Sequence, residues 1–282
     1  MIAAAGALWG CTGVAILNTL EPTAGVVATP DIAFGSGPRD RLDVYRPADA
    51  AGHAPVVVFF YGGGWDSGRR QDYAFLGRAL ARRGIVVVIP DYRLYPEARW
   101  PDFLHDAARA VAWARAHAAD YGGDPARLFL MGHSAGAYNA VMLATDRRWL
   151  AAEGLDPSRD LAGAIGLAGP YDFLPLHSER LKAIFGPEAR LPDTQPINHV
   201  DGRGPPLLLA TDDNDTVVGP GNTARMADKV RAAGGRVETR SYSGLSHALL
   251  IGVIAAPLRR KAPVLDDVVA FVTADAVATP AQ

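Results

Sequence analysis

Five apolar runs recur along the chain, Val56–Phe60, Ile85–Ile89, Leu128–Met131, Ala164–Ala168 and Leu207–Ala210. None alternates with polar residues, so none suits a strand with one wet face. Continuous runs of this length, bounded by Gly or Pro, are the pattern of strands buried on both faces. Helical stretches separate them. Phe103, Ala107, Val111 and Ala114 recur at helical spacing within Pro101–Ala119, and Pro101 suits a first turn. Tyr73–Arg83 stops at Gly84, and Asn222–Ala233 stops at Gly234-Gly235. A last helix over Pro263–Val272 aligns Val264, Val268 and Phe271. The alternation predicts an α/β fold with a mostly parallel, doubly wound sheet flanked by helices. A short antiparallel pair, Asp31–Phe34 and Leu42–Tyr45, precedes it.

Parallel α/β folds of this size form one domain, which is expected here over residues 31–272. Gly169–Pro205 breaks the alternation with prolines and aromatics, and reads as a small insertion over the carboxyl edge of the sheet. Ligands bind at that edge in open α/β folds. Residues 273–282 read as a mobile tail, and residues 1–30 as a separate N-terminal apolar segment.

Composition removes several classes of function. With 49% hydrophobic and 21% charged residues among 282, the chain is neither disordered nor fibrous. Lys and Arg (28) nearly balance Asp and Glu (30), and no basic patch points to nucleic acid. A single cysteine excludes an internal disulfide framework. That cysteine lies in the uncharged stretch Met1–Leu20, where Leu8-Trp9-Gly10-Cys11 has the outline of a bacterial lipobox with Trp9 as a poor fit. Two readings stand: a docked or frayed helix, or a signal remnant. A lipidated Cys11 would place the protein at the cell envelope, and the docked helix in the cytoplasm. Internal glycines and Glu21-Pro22 argue against a membrane span.

The strongest local signal is Gly132-His133-Ser134-Ala135-Gly136, between the strand Leu128–Met131 and a helix expected over Ala135–Ala144. Small neighbours permit the tight strand–turn–helix that lifts a serine Oγ clear of the sheet, with helix N-terminal N–H groups beside it. The plain alternative is a glycine-lined strand exit with a capping serine. A nucleophilic serine needs a base and an orienting acid, which in this topology follow it in the order acid, then histidine. Among seven histidines, His53, His105 and His117 precede the turn, His133 lies within it, and His177 and His199 lie in the insertion. His247, in the loop after the strand-like Arg236–Ser243, stands where the base belongs. For the acid, Asp212, Asp213 and Asp215 crowd one strand exit. Asp215, deeper in the loop beside Val217-Val218, fits best, with Asp213 as the alternative.

Tyr61-Gly62-Gly63-Gly64-Trp65 follows the strand Val56–Phe60, where glycines would let backbone N–H groups face an oxyanion. A dinucleotide-binding reading fails, because Ser67 stands where a third glycine is required.

Taken together, these pieces resemble the α/β-hydrolase superfamily, in particular small bacterial carboxylesterases related to hormone-sensitive lipase, kynurenine formamidase and feruloyl esterases of the BD-FAE type. The resemblance spans Asp31 to Val272. It rests on YGGGW, DYRLYPE (Asp91–Glu97), YGGDP (Tyr121–Pro125), GHSAG, the Asp215 loop and SGLSH. It implies an α/β-hydrolase fold, a triad of Ser134, Asp215 and His247, and oxyanion donors on the N–H groups of Gly63, Gly64 and Ala135. Three departures stand out. Tyr61 replaces the usual histidine of the glycine motif, Thr211-Asp212 replaces a usual His-Gly, and any cap must come from Gly169–Pro205.

The expected function is a serine carboxylesterase for short- to medium-chain esters, using no cofactor or metal. Its partners are then a small-molecule ester and water. Trp65, Tyr138, Tyr171 and Phe173 are candidate substrate-binding residues, and Phe185 reads as core. Kynurenine formamidase-type amide cleavage or feruloyl esterase activity are the near alternatives, and a non-catalytic binding protein the distant one.

Overall fold

The computed structural model describes residues 5–274, with side chains from Gly13 onward. The order of elements is α1 (Ala5–Leu20), β1 (Val26–Ala33), β2 (Arg41–Pro47), β3 (Ala54–Phe60), α2 (Ala74–Ala81), β4 (Val86–Pro90), α3 (Asp102–His117) and β5 (Gly123–His133). There follow α4 (Ala135–Thr145), α5 (Arg147–Ala151), α6 (Pro157–Asp160), β6 (Gly163–Leu167), α7 (Glu179–Phe185) and β7 (Leu207–Asp212). The chain closes with α8 (Gly221–Ala232), β8 (Val237–Tyr242), α9 (His247–Gly252) and α10 (Val264–Thr273).

The strands form one eight-stranded sheet in the order β1-β2-β4-β3-β5-β6-β7-β8. Pairing is antiparallel at β1–β2 and β2–β4, and parallel at every other junction. This is the α/β-hydrolase fold. The unbroken apolar runs are buried on both faces: Val56 to Phe60 show no exposed surface, and β4 and β6 are buried throughout.

Register sets the place of the site. Phe60 pairs with Gly132 and His133 with Leu167, so β3, β5 and β6 end at one level of the sheet. The glycine loop therefore leaves β3 beside the turn that leaves β5. At the far side, Asp212 pairs with Tyr242, which brings the exits of β7 and β8 together.

β1 begins five residues earlier than the expected Asp31 and runs through Pro30. It is an edge strand, where a missing N–H is tolerated, and its register shifts between Thr29 and Ile32 at a positive-φ Asp31. The first segment is not detached from the domain. Asn18 accepts from Phe75 N (2.8 Å) and donates to the Gln71 carbonyl (3.0 Å). The buried Glu21 carboxylate accepts from Ala256 N (2.6 Å) and from Arg259 (3.1 Å). The side chains of the lipobox-like stretch, Cys11 included, lie outside the described residues, as do residues 275–282 of the expected tail.

The insertion holds α7, capped by Ser178, and two 3₁₀ turns, Glu188–Thr194 and Pro196–His199. Hydrogen bonds sew it to the body: Trp100 N to the Ile184 carbonyl (2.9 Å), and Tyr138 Oη to the Thr194 carbonyl (2.8 Å).

Candidate active site

Ser134 is the single residue between β5 and α4, and its φ of 54° and ψ of −121° lie in a region strained for any side chain but glycine. The flanking glycines are what the turn demands. A Cβ on Gly132 would lie 2.1 Å from the Gly136 carbonyl oxygen, and one on Gly136 would lie 1.9 Å from that of Phe60. The backbone thus folds tightly onto itself beneath the serine, whose N–H donates to the Leu167 carbonyl (2.9 Å). Ser134 remains partly exposed while Ala135 to Ala144 are buried.

His247 is the first residue of the short helix α9, with Ser246 as its cap, rather than part of an open loop. Its Nδ1 lies 2.7 Å from Asp215 Oδ2. The other Asp215 oxygen accepts from Val217 N (2.8 Å) and Val218 N (3.0 Å). Burial pushes the Asp215 carboxyl upward, but the bonds from His247, Val218 and Val217 outweigh it and hold the pKa below the usual carboxylate value. The Val217 side chain is 69% exposed, so what it gives Asp215 is its backbone N–H. Asp212, also buried, accepts from Asn214 N (3.0 Å) and Leu245 N (2.8 Å), which ties the acid loop to the approach of His247. Asp213 is exposed and bonds Ser241 and Ser243.

No hydrogen bond joins Ser134 Oγ to His247 among the described residues, a contact that often tightens only around substrate. The two elements nonetheless touch. The rings of His133 and His247 have centroids 4.8 Å apart, and His133 Nε2 lies 3.0 Å from the His247 carbonyl oxygen.

The glycine loop lies against the serine turn: a Cβ on Gly62 would sit 3.1 Å from Ser134 Cβ. Gly63 and Gly64 have φ of 128° and 58°, and the Gly63 carbonyl accepts from Asp66 N, Ser67 N and Ser67 Oγ. The N–H groups of Gly63, Gly64 and Ala135 donate no hydrogen bond among the described residues. Of these three donors, Ala135 directly follows Ser134 and the two glycines directly follow Gly62. Arg180, on α7, pairs with Asp66 and lies over Gly64, joining the insertion to this loop.

Tyr61 anchors the loop from below. Its ring stacks on Tyr92 (4.7 Å) and Tyr73 (5.9 Å), and its hydroxyl donates to Asp91 (2.9 Å) while accepting from Arg39 (2.8 Å). Burial first, and Asp91 second, push the Tyr61 hydroxyl pKa far upward, so it stays a neutral donor. Asp91 in turn meets the buried Arg70 (2.5 Å), which also reaches Asp43 (2.8 Å) and Asp31 (2.7 Å). The Asp of DYRLYPE is therefore a pillar of the glycine loop, a role the sequence did not reveal.

The candidate aromatic residues form a packed cluster. Trp65 meets Tyr138 (5.2 Å) and Phe185 (4.8 Å) edge-on, and Phe173 meets Phe185 (5.3 Å). Trp65 Nε1 donates to Asn139 Oδ1 (3.2 Å). Tyr138, Tyr171 and Phe185 have no exposed surface, and Trp65 has 4%. Of the four residues expected to bind substrate, Phe173 alone keeps partial exposure; the other three serve as packing in this structure. His199 is engaged elsewhere, 2.8 Å from the Asp193 carbonyl oxygen.

The family model described as BD-FAE matches residues 42–230, a span that includes the glycine loop, the serine turn and Asp215. The chain belongs to the BD-FAE family. It is similar to isoprenylcysteine alpha-carbonyl methylesterase of Arabidopsis thaliana, 31% identical over 86% of this chain and 62% of that protein. It is also similar to esterase LipC of Mycobacterium tuberculosis, 33% identical over 71% of this chain and 54% of that one. The chain thus spans less than two thirds of either relative. Among solved structures, esterase B of Lactobacillus rhamnosis superposes with a TM-score of 0.78 at 20% identity, covering 96% of this chain and 95% of that one. His247 lies beyond the BD-FAE match, and its assignment rests on the bond to Asp215.

Proposed function

We propose that the protein is a serine carboxylesterase acting on short- to medium-chain esters through an acyl-enzyme on Ser134. The observation that carries this reading is the Asp215–His247 pair, 2.7 Å apart, beside a strained serine and three backbone N–H groups without acceptors. Membership of the BD-FAE family and the esterase names of its relatives support it.

In this reading Ser134 Oγ attacks the ester carbonyl carbon as His247 Nε2 takes the hydroxyl proton. Asp215 holds the Nδ1–H tautomer and stabilises the imidazolium. Negative charge moves to the carbonyl oxygen, where the N–H groups of Gly63, Gly64 and Ala135 receive it. Each such donor is worth on the order of 3 kcal/mol in the transition state. The C–O bond to the alcohol then breaks, and His247 returns its proton to the departing oxygen. Water repeats the sequence on the acyl-enzyme and releases the acid.

The solid packing of Trp65, Tyr138 and Phe185 supports the chain-length preference, because it leaves little room for a long acyl tail beside the glycine loop. A second reading comes from a groove of about 780 Å³ in the insertion, lined by Leu174, Leu176, Leu191 and Pro192 together with Lys182 and Glu188. With the printed name of the plant relative, it favours methyl esters of bulky apolar acids.

A panel of p-nitrophenyl esters, methyl esters with long apolar acyl groups, anilides and N-formylkynurenine tests these readings. Each fitting methylene adds about 0.8 kcal/mol until the site is full. The specificity constant is expected to peak between roughly C2 and C8 and then fall. A rate that keeps rising through palmitate overturns the short-chain reading, and preferential cleavage of the formamide replaces esterase by amidase.

A further inference from the structure

We infer that His133 is a positioning residue for the base, holding the main chain of His247 to the turn that carries Ser134. The inference rests on the proposed serine mechanism and goes beyond it, since His133 touches no reacting atom. Its side chain is buried, and its Nε2 lies 3.0 Å from the carbonyl oxygen of a residue 114 positions away. A carbonyl only accepts, so Nε2 must carry the proton. The other nitrogen, Nδ1, is then a bare acceptor, and it is buried with no partner.

Such an arrangement is costly, because a buried acceptor without a donor has given up its bonds to water for nothing in return. An apolar side chain of similar size would fill the same space without that cost. What the imidazole adds is the single bond across to α9. A carbonyl oxygen has two lone pairs, so this bond does not compete with the first turn of that helix. The base is consequently fixed at two points, its ring by Asp215 and its main chain by His133. Because His133 adjoins Ser134 in the chain, nucleophile and base are coupled through one residue. His133 also lies against the glycine loop, with Nδ1 3.2 Å from where a Gly62 Cβ would stand. It therefore meets all three parts of the site. A neutral ring there also adds no repulsion when His247, 4.8 Å away, becomes an imidazolium.

The test compares His133→Leu and His133→Gln on a short-chain p-nitrophenyl ester, with Ser134→Ala alongside. A displacement of the base by about 1 Å costs on the order of 100-fold. His133→Leu is therefore expected to lower kcat by roughly 10- to 100-fold with KM within about twofold. His133→Gln, whose carboxamide can still donate to the carbonyl, is expected to recover kcat to within about fivefold of wild type. Wild-type kcat in His133→Leu, or equal losses in Leu and Gln, overturns the inference. Should the leucine variant not fold, ¹⁵N imidazole spectra of the wild-type protein decide. A neutral histidine with its proton on Nε2, absent in His133→Gln, is expected; the Nδ1–H form overturns it. Full activity in Ser134→Ala would instead overturn the serine mechanism itself.

Discussion

Asp215 reaches His247 because the three aspartates at the end of β7 have different work. Asp212 is the last residue of the strand and points its carboxylate at the backbone of Asn214 and Leu245. Asp213 turns outward to Ser241 and Ser243. Asp215 alone has one oxygen on the imidazole and the other on two backbone N–H groups. Asp215→Asn is therefore expected to cut kcat by about 10⁴-fold, as loss of the orienting acid does in a serine protease. Asp213→Asn should stay within a few-fold of wild type in the same steady-state assay. At His133 pH acts on stability. Burial, then the charge of the neighbouring His247, lowers its pKa from the ordinary 6.5 to about 3, while its bond to the His247 carbonyl and then nearby Asp215 act in the other direction. Between those values the unfolded chain binds the proton and the folded one does not. Stability is thus lost as pH falls from 6.5 towards 3, by on the order of 5 kcal/mol in all. Urea unfolding midpoints should fall less between pH 6.5 and 4.5 in His133→Gln than in wild type.

At the scale of elements, the site gathers the exits of β3, β5, β7 and β8, and its three parts are braced differently. The serine turn is braced by glycines packed on backbone, the acid and base by one another, and the glycine loop by Tyr61 and the ions beneath it. The Arg70 side chain is 9% exposed and meets Asp31, Asp43 and Asp91, so Arg70→Met removes the guanidinium that pairs with two buried carboxylates. Breaking buried pairs of this kind costs about 3–5 kcal/mol, which lowers Tm by on the order of 10 °C. An unchanged Tm in a calorimetric scan would show that the network does not support the loop. The sequence exposed the strands because burial on both faces leaves unbroken apolar runs, and the serine turn because two close approaches admit only glycine. It did not expose α7 or α9, whose seven and six residues are too short to show a helical period. Nor did it expose the Tyr61–Asp91–Arg70 network. Residues 61, 70 and 91 lie in three separate segments of the chain, and charged residues read along a chain look solvated until the fold buries them. The aromatic residues near the glycine loop were legible as a group, but periodicity does not separate a pocket wall from a packed core.

For the whole molecule, the parts outside the sheet are joined to the site rather than hung beside it. The insertion reaches the glycine loop through Arg180 and Asp66, and reaches α4 through Tyr138 and Thr194. The apolar first segment is pinned to the body by Asn18 and Glu21. What unites these contacts functionally is a single claim, that Ser134 is the nucleophile at their centre. Treatment with a p-nitrophenyl alkylphosphonate, followed by peptide mass spectrometry, tests that claim most directly. We expect one phosphonyl group per chain, on Ser134, with activity lost in step with labelling and no label on Ser134→Ala. Complete inhibition with Ser134 unmodified, or full labelling of Ser134 with activity intact, would contradict it.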